Sequence, residues 1–245
     1  CAGLGGMALS LIHAVATVNL AADHVVSGIA INLLGPGLAL YLCRLFFDGA
    51  AMSKAIPYQN KLPMVFKGIF TSERIGRYPI LKYLDIIFSQ YVIVYIAFAL
   101  VFISWFVLYK TKLGLRIRAV GEHPRAAETL GVNAYAIKYI AVLTSGFLAG
   151  LGGGAMSLAV VSNFRETLIS GQGFIALAAV IFGGWRPQGA LLACLLFGAA
   201  QGLSIFLGSI GIQIDTNLLS MIPYILTLVV LVLFVKGSKA PSADG

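Results

Sequence analysis

Leu115-Arg-Ile-Arg-Ala-Val-Gly-Glu-His-Pro-Arg-Ala-Ala-Glu-Thr-Leu-Gly131 decides how this chain is organised, because it is polar and stands between two long uncharged runs. Proline has no N–H, so Pro124 suits the first position of a helix, and Gly131 is placed to end that helix. Ala126 and Ala127 would give the helix a face of small side chains that another protein could approach closely. The stretch therefore predicts a loop at a membrane surface with a small helix of its own.

The composition argues against an ordinary soluble domain. Of the 245 residues, 59% are hydrophobic and 11% are charged, whereas soluble domains carry about a quarter charged residues. The net charge of +8 fits a membrane protein with basic cytoplasmic loops. No basic run is interleaved with aromatic residues in a soluble segment, so we expect membrane lipid as a partner and no nucleic acid.

Seven apolar runs can be read as membrane spans, each of which needs about 17–25 residues. They are Cys1–Ala22, Val25–Cys43, Ile86–Tyr109, Tyr139–Val161, Thr167–Trp185, Pro187–Ile214 and Thr216–Val235. The fifth run is short and contains Gly171 and Gly173, so we expect a broken or half-length helix there. Residues 183–189 are expected to form a tight turn. The predicted fold is all-α, a polytopic transmembrane helix bundle of about seven spans that occupies residues 1–235 as one domain.

The chain opens with Cys1 inside a Gly-rich apolar run and has no signal-peptide n-region. We therefore expect an N-terminally truncated piece, with one or more spans before Cys1.

The distribution of lysine and arginine predicts the orientation. Segment 110–136 carries five basic residues ahead of its short helix or within it, so we expect it on the cytoplasmic side. The tail, 236–245, carries Lys236 and Lys239 and is also expected there, with four crossings between the two segments. A re-entrant loop at Thr167–Trp185 that does not cross would instead place the tail outside. One span separates 110–136 from 44–84, which places 44–84 outside as an extracytoplasmic loop, although it too is basic.

Motifs for catalysis, metal binding and nucleotide binding are missing from the sequence. It has no H-E-x-x-H, no G-x-S-x-G and no P-loop, so we expect no catalytic residue, metal or cofactor in this chain. If ATP drives the protein, a partner must bind it. The three cysteines lack metal or redox spacing, and Cys1, Cys43 and Cys194 are expected to be small buried hydrophobes.

Small and polar residues inside the apolar runs each have two possible roles, one in helix packing and one in transport. Gly146, Gly150 and Gly154, like Gly198 and Gly202, recur every four residues; close helix packing is expected, and helices that slide during gating are the alternative. Several polar side chains could line a pathway or simply join helices by hydrogen bonds: Asn32, Ser157, Gln172, Gln201 and Asn217.

Ionisable residues near the first two runs are a separate question, because such residues within a membrane are often functional. We favour a turn at the membrane interface for Asp23 and His24, and a packing role for His13, over a functional ion pair.

Gly114–Gly131 resembles a segment of the permease subunits of ABC-type importers, within the branched-chain amino acid and simple-sugar permease superfamily. The nearest group is that of sugar or nucleoside permeases. Four other segments are similar to that group and extend the resemblance over most of the chain: Leu11–Ala14, Val25–Asn32, Gly171–Gly183 and Leu219–Leu226. The outer loop, 44–84, is covered least.

The resemblance implies a multi-pass protein of the bacterial plasma membrane that forms half of a translocation pathway with a second, homologous permease. It implies cytoplasmic ATP-binding subunits that supply the ATP hydrolysis, and an extracytoplasmic substrate-binding protein, a lipoprotein in Gram-positive cells. The residues that would couple this chain to the ATPase are Gly121, Glu122, Pro124, Arg125, Ala126, Ala127 and Gly131.

Nucleosides are the solute that the resemblance favours, with simple sugars as the alternative. A nucleoside needs hydrogen-bonding groups and an aromatic face, so Asn32, Gln172 and Phe174 are the candidate pathway residues. Two other classes remain open: a secondary transporter driven by an ion gradient, and a membrane scaffold that moves no solute. The first needs paired ionisable residues in the membrane, and this chain offers only Asp23 and His24.

Overall fold

The computed structural model describes residues 1–57, 61–65, 88–161, 163–169 and 171–210, together with residues 221, 225, 228–229 and 240–242. Its α-helices, in chain order, are α1 (Ala2–Ala14), α2 (His24–Phe46), α3 (Val92–Lys110), α4 (Lys112–Glu122), α5 (Pro124–Thr129), α6 (Ala134–Ala155), α7 (Gln172–Phe182) and α8 (Pro187–Ser209). Within the described ranges, β pairing is limited to two isolated bridges. The all-α prediction is confirmed.

Five helical segments within the described ranges are long and apolar enough to cross a bilayer. They are Ala2–Asn19, His24–Phe46, Val92–Lys110, Ala134–Val161 and Pro187–Ser209. Each overlaps one of the predicted runs, and the ends differ by a few residues. The last predicted run, Thr216–Val235, lies outside the described residues except at four single positions.

The fifth predicted run is a half-length helix, as expected. Gly171 has φ +82°, a left-handed conformation that favours glycine, and it is the N-cap residue directly before α7. The 11 residues of α7 are about 16 Å long, roughly half of the 30 Å apolar layer of a bilayer. A single 3-10 turn, Glu166–Leu168, precedes the break.

The chain forms two compact units, which we describe separately. The first comprises Cys1–Leu100 and Asn133–Ile169, and the second comprises Val101–Val132 and Ser170–Gly245.

In the first unit, α1 and α6 pack closely and run antiparallel. A Cβ added at Gly150 would collide with the carbonyl oxygen of Ala2, and one at Gly154 would lie 2.9 Å from the Ala2 Cβ. A Cβ added at Gly146 would collide with the side chain of Ser10. The three glycines therefore let two helix backbones approach each other, and the packing prediction is confirmed for them.

At each end of the first unit, hydrogen bonds join segments that are distant in sequence. After α2, the N–H of Ser53 donates to the carbonyl oxygen of Phe164 at 2.9 Å, and Phe164 N–H donates to Ser53 Oγ at 2.8 Å. At the other end, Tyr139 donates its hydroxyl hydrogen to Asn19 Oδ1 at 2.8 Å. Residues that follow α2 and residues that follow α6 thus lie at the same end of this unit.

In the second unit, α7 and α8 form an antiparallel hairpin. Ile175, Ala179 and Phe197 are its buried core, and the rings of Phe182 and Phe197 are 5.7 Å apart. The connection after α7 is the expected tight turn, in which a Cβ added at Gly189 would collide with the backbone of Gly183.

One prediction about small residues is wrong for α8, and another stays a prediction. Gly198 and Gly202 have no described atom within 4 Å of an added Cβ, and most of the last predicted run lies outside the described residues, so close packing at these glycines stays a prediction. Cys194 was expected to be buried but is exposed, as is Cys1, and only Cys43 is buried. The reason lies in the register of α8: its contact with α7 is made by Ala193 and Phe197, and Cys194 is turned about 100° from Ala193.

Candidate functional site

The polar stretch begins with a sharp corner between α3 and α4. Thr111 stands between the two helices; its Oγ1 donates to the carbonyl oxygen of Val107 at 2.6 Å and accepts from the N–H of Gly114 at 3.2 Å. Gly114 is buried, and a Cβ there would collide with the backbone of Val107 and Leu108. A larger residue at this position would therefore push α4 away from the end of the span.

Helix α4 was not expected, because the polar stretch was predicted to be a loop with one short helix. Gly114 and Val120 are its buried residues. Its exposed side chains are mixed, with Leu115 61% exposed beside the exposed Arg116. The guanidinium of Arg118 lies 5.0 Å from the ring centroid of Tyr109, at the end of α3. This cation–π contact adds a second link between α4 and the span before it.

Helix α5 begins and ends as the sequence predicts. Pro124 is its first residue, where a missing N–H leaves no partner unpaired. At its other end Gly131 has φ +79°, and its N–H donates to Glu128 O at 2.9 Å, while Val132 N–H donates to Ala127 O at 3.1 Å. These two bonds form a Schellman motif, which satisfies carbonyl groups that would otherwise lack partners.

The face of α5 that a partner could reach differs from the prediction. Ala126 is exposed, but Ala127 is buried and only 3% exposed, so a small face made of both alanines is wrong. Neighbouring residues of a helix point about 100° apart, and Ala127 lies on the inner side of the turn that ends in the Schellman motif. Leu130, which sequence reasoning missed, is 84% exposed.

The remaining residues assigned to this segment lie at the joint between α4 and α5. Glu122 and Arg125 are exposed, whereas Gly121 and Pro124 are partly buried. The Glu122 carboxylate accepts a hydrogen bond from Ser242 Oγ at 3.0 Å. The described part of the tail therefore lies at the same end of the second unit as α4 and α5. We call the exposed surface of Glu122, Arg125, Ala126 and Leu130 the coupling face.

Of the three candidate pathway residues, Gln172 and Phe174 lie on α7 and Asn32 lies on α2, in the other unit. Gln201 Nε2 donates to Gln172 Oε1 at 3.0 Å, so the alternative of an interhelical hydrogen bond is observed. Phe174 is 67% exposed and lies off the α7 face that meets α8. Asn32 is exposed on α2.

The ionisable residues between α1 and α2 have structural partners. Asp23 Oδ1 accepts from Val25 N–H at 2.8 Å and from Val26 N–H at 2.9 Å, which caps α2. His13 Nδ1 lies 2.9 Å from Ser27 Oγ. The prediction of a turn at Asp23 and of a packing histidine is confirmed. Among the described residues, no group of three or more His, Cys, Asp or Glu could hold a metal ion.

The described residues form apolar helices, and a basic, helical connection lies between α3 and α6 in the chain. The profile of the family described as the permease component of branched-chain amino acid transport systems matches residues 1–232. The chain belongs to this family. It is accordingly a transport subunit and a multi-pass protein of the bacterial plasma membrane.

Curated relatives give a more specific comparison than the family does. The chain is 45% identical to the guanosine ABC transporter permease protein NupQ of Bacillus subtilis, over 98% of the chain and 73% of the relative. It is 41% identical to the nucleoside ABC transporter permease protein NupC of Lactococcus lactis, with the same coverage. It is also 39% identical to a second Lactococcus lactis nucleoside permease protein, NupB, over 38% of the chain and 26% of the relative. No solved structure matches.

Proposed function

We propose that this chain is one of two permease subunits in an ATP-driven importer of nucleosides. The observation that carries the coupling to ATP is the coupling face, which is exposed between two spans and includes an apolar side chain, Leu130, at 84% exposure. The nucleoside assignment is supported by the two relatives that are more than 40% identical over nearly the whole chain. Lactococcus lactis has two such nucleoside permease proteins, which supports a pairing of homologous permeases.

In this proposal a cytoplasmic ATPase docks on the coupling face and pulls on two spans at once. On one side, Thr111 and the Arg118–Tyr109 contact fasten α4 to α3. On the other side, the Schellman motif ends α5, and two residues later the side chain of Asn133 caps α6 by accepting from Ala136 N–H at 3.0 Å. These short joints would pass a displacement of α5 to both helices. ATP is bound and hydrolysed by the partner, and this chain holds no cofactor.

The orientation that we propose is the one predicted from the sequence. The basic residues of segment 110–136 favour the cytoplasmic side, and the Ser242–Glu122 hydrogen bond supports the same side for the tail, 236–245. One span earlier, the loop 44–84 then lies outside, together with the 163–169 connection that pairs with Ser53. This outer end is where an extracytoplasmic binding protein would deliver the solute.

The solute contacts that we propose begin with the Gln172–Gln201 pair. A glutamine side chain has two N–H donors and a carbonyl that can accept twice. One hydrogen bond between them leaves the pair with a free amide donor and a free carbonyl, whichever way the amides are turned. A nucleobase edge or a ribose hydroxyl can use both groups. Phe174, two residues from Gln172, supplies the aromatic face. Asn32 lies on α2 in the other unit and stays a pathway candidate by itself.

The hydrogen bonds of Asp23 disfavour a secondary transporter driven by ions. That class needs an ionisable group free to exchange an ion within the membrane. Asp23 instead accepts two backbone hydrogen bonds at the start of α2.

The test is uptake of labelled guanosine by cells that carry the complete transporter, with ATP maintained by glycolysis and with or without a protonophore. We expect uptake to survive the protonophore and to be lost when Gly121 and Glu122 are both replaced. Abolition by the protonophore alone would favour the secondary transporter. No nucleoside uptake, with uptake of a labelled simple sugar in the same cells, would reassign the solute and leave the ATP coupling intact.

A further inference from the structure

The tail touches the coupling segment at two neighbouring residues. Ser242 Oγ donates to Glu122 Oε2 at 3.0 Å, and Pro241 lies over Gly121, where its Cβ would be 3.7 Å from an added Cβ. The first contact is polar and the second is an ordinary van der Waals approach. Two residues of the tail therefore cover the last two residues of α4.

The covered residues belong to the segment that the ATPase is proposed to contact. Apart from this contact, Glu122 and Ser242 are both exposed, so the site of contact is open to solvent and to a partner. Glu122 is the last residue of α4, where the helix dipole disfavours a negative charge. A hydrogen-bond donor at this carboxylate is stabilising, and the tail supplies one.

We infer that the tail is an intramolecular ligand of the coupling segment, which the ATPase must displace to reach Gly121 and Glu122. This inference rests on the proposed function. It specifies the incoming surface: a partner that replaces Ser242 must itself present a hydrogen-bond donor to Glu122, from a hydroxyl or a cationic side chain. Beside that donor it must fit against Gly121 in the place that Pro241 leaves.

The contact is weak enough to be displaced. A single hydrogen bond between exposed groups contributes little, so removal of the tail contact should raise the affinity of the ATPase by about two- to tenfold, not switch binding on from nothing.

The experiment measures binding of the purified partner ATPase to the complete permease pair in nanodiscs. The test variant lacks residues 240–245. The matched control lacks residues 243–245 and keeps Pro241 and Ser242. A third variant, Ser242→Asp in the full chain, places a carboxylate beside Glu122 and should release the tail by charge repulsion without shortening it.

We expect the 240–245 deletion and Ser242→Asp to raise the affinity equally, and the 243–245 deletion to leave it unchanged. Unchanged affinity in both test variants overturns the inference. So does a loss of affinity, because the tail would then be part of the surface that the ATPase binds. Failure of the unaltered permease pair to bind the ATPase would instead count against the proposed function. Binding of the unaltered pair is therefore measured first.

Discussion

Gln201 on α8 donates a hydrogen bond from Nε2 to Oε1 of Gln172 on α7, across a distance of 3.0 Å. The pair closes the open end of the α7–α8 hairpin, since α7 begins at Gln172. Hydrogen bonds between membrane helices average about 0.6 kcal/mol. A bond of this size can be given up when a solute competes for the two amides.

Replacement of either amide by alanine tests whether the pair binds solute. We expect Gln172→Ala and Gln201→Ala each to raise the KM for nucleoside by roughly two- to tenfold, which corresponds to the loss of one neutral hydrogen bond. The measurement is initial uptake rate against concentration, normalised to the amount of protein in the membrane. A pair that only holds helices together would lower the amount or the thermal stability of the protein and leave KM unchanged.

Gly150 should tolerate no side chain. In Gly150→Ala the new methyl group collides with the Ala2 carbonyl oxygen, and overpacking of this kind costs about 1–3 kcal/mol. The midpoint of thermal unfolding in detergent should fall. Gly152→Ala is the matched control, two residues away in α6, with no described atom within 4 Å of the added Cβ. Equal midpoints for the two variants would contradict the close α1–α6 contact.

Leu130 should anchor the ATPase. An apolar side chain that is 84% exposed in the isolated chain can contribute about 1.5–3 kcal/mol when a partner buries it. We expect Leu130→Asn to weaken ATPase binding by at least tenfold and to leave thermal stability unchanged. Glu128→Ala, an exposed change in the last turn of α5, serves as the control. Full ATPase binding by Leu130→Asn would remove Leu130 from the interface.

Asp23 should act as a helix cap and not as an ion carrier. Asp23→Asn keeps a side-chain oxygen for the N–H groups of Val25 and Val26, so we expect unchanged uptake. Asp23→Ala removes the cap and should cost about 1 kcal/mol of stability. Uptake in the presence of a protonophore distinguishes the two roles. Loss of uptake in Asp23→Asn, with normal amounts of protein, would restore the secondary-transporter reading.

Elements that are decided by local chemistry could be predicted from the sequence. The long uncharged run at α3 predicts a membrane span, and the glycine at position 171 predicts the break before α7. Pro124 and Gly131 mark the two ends of α5. In each case a property of the residue itself, such as a missing N–H or a positive φ, determines the conformation, and no distant partner is needed.

Elements that depend on distant partners could not be predicted. Helix α4 is stabilised by its contact with the end of α3, and its Leu-Arg-Ile-Arg pattern and two glycines look like a loop in isolation. The choice between pathway and pairing for Gln172 depended on which residue of α8 lies opposite. The exposure of Leu130 could have been suspected, because an apolar residue next to a helix-ending glycine in a polar loop has little to pack against.

The obstacle at Gly150 is a backbone carbonyl, which is present whatever amino acid occupies position 2. A smaller side chain at position 2 therefore cannot make room for a larger residue at Gly150. Variation that retunes this transporter for a new solute must arise elsewhere, for instance at Phe174, which lies off the face of α7 that packs on α8.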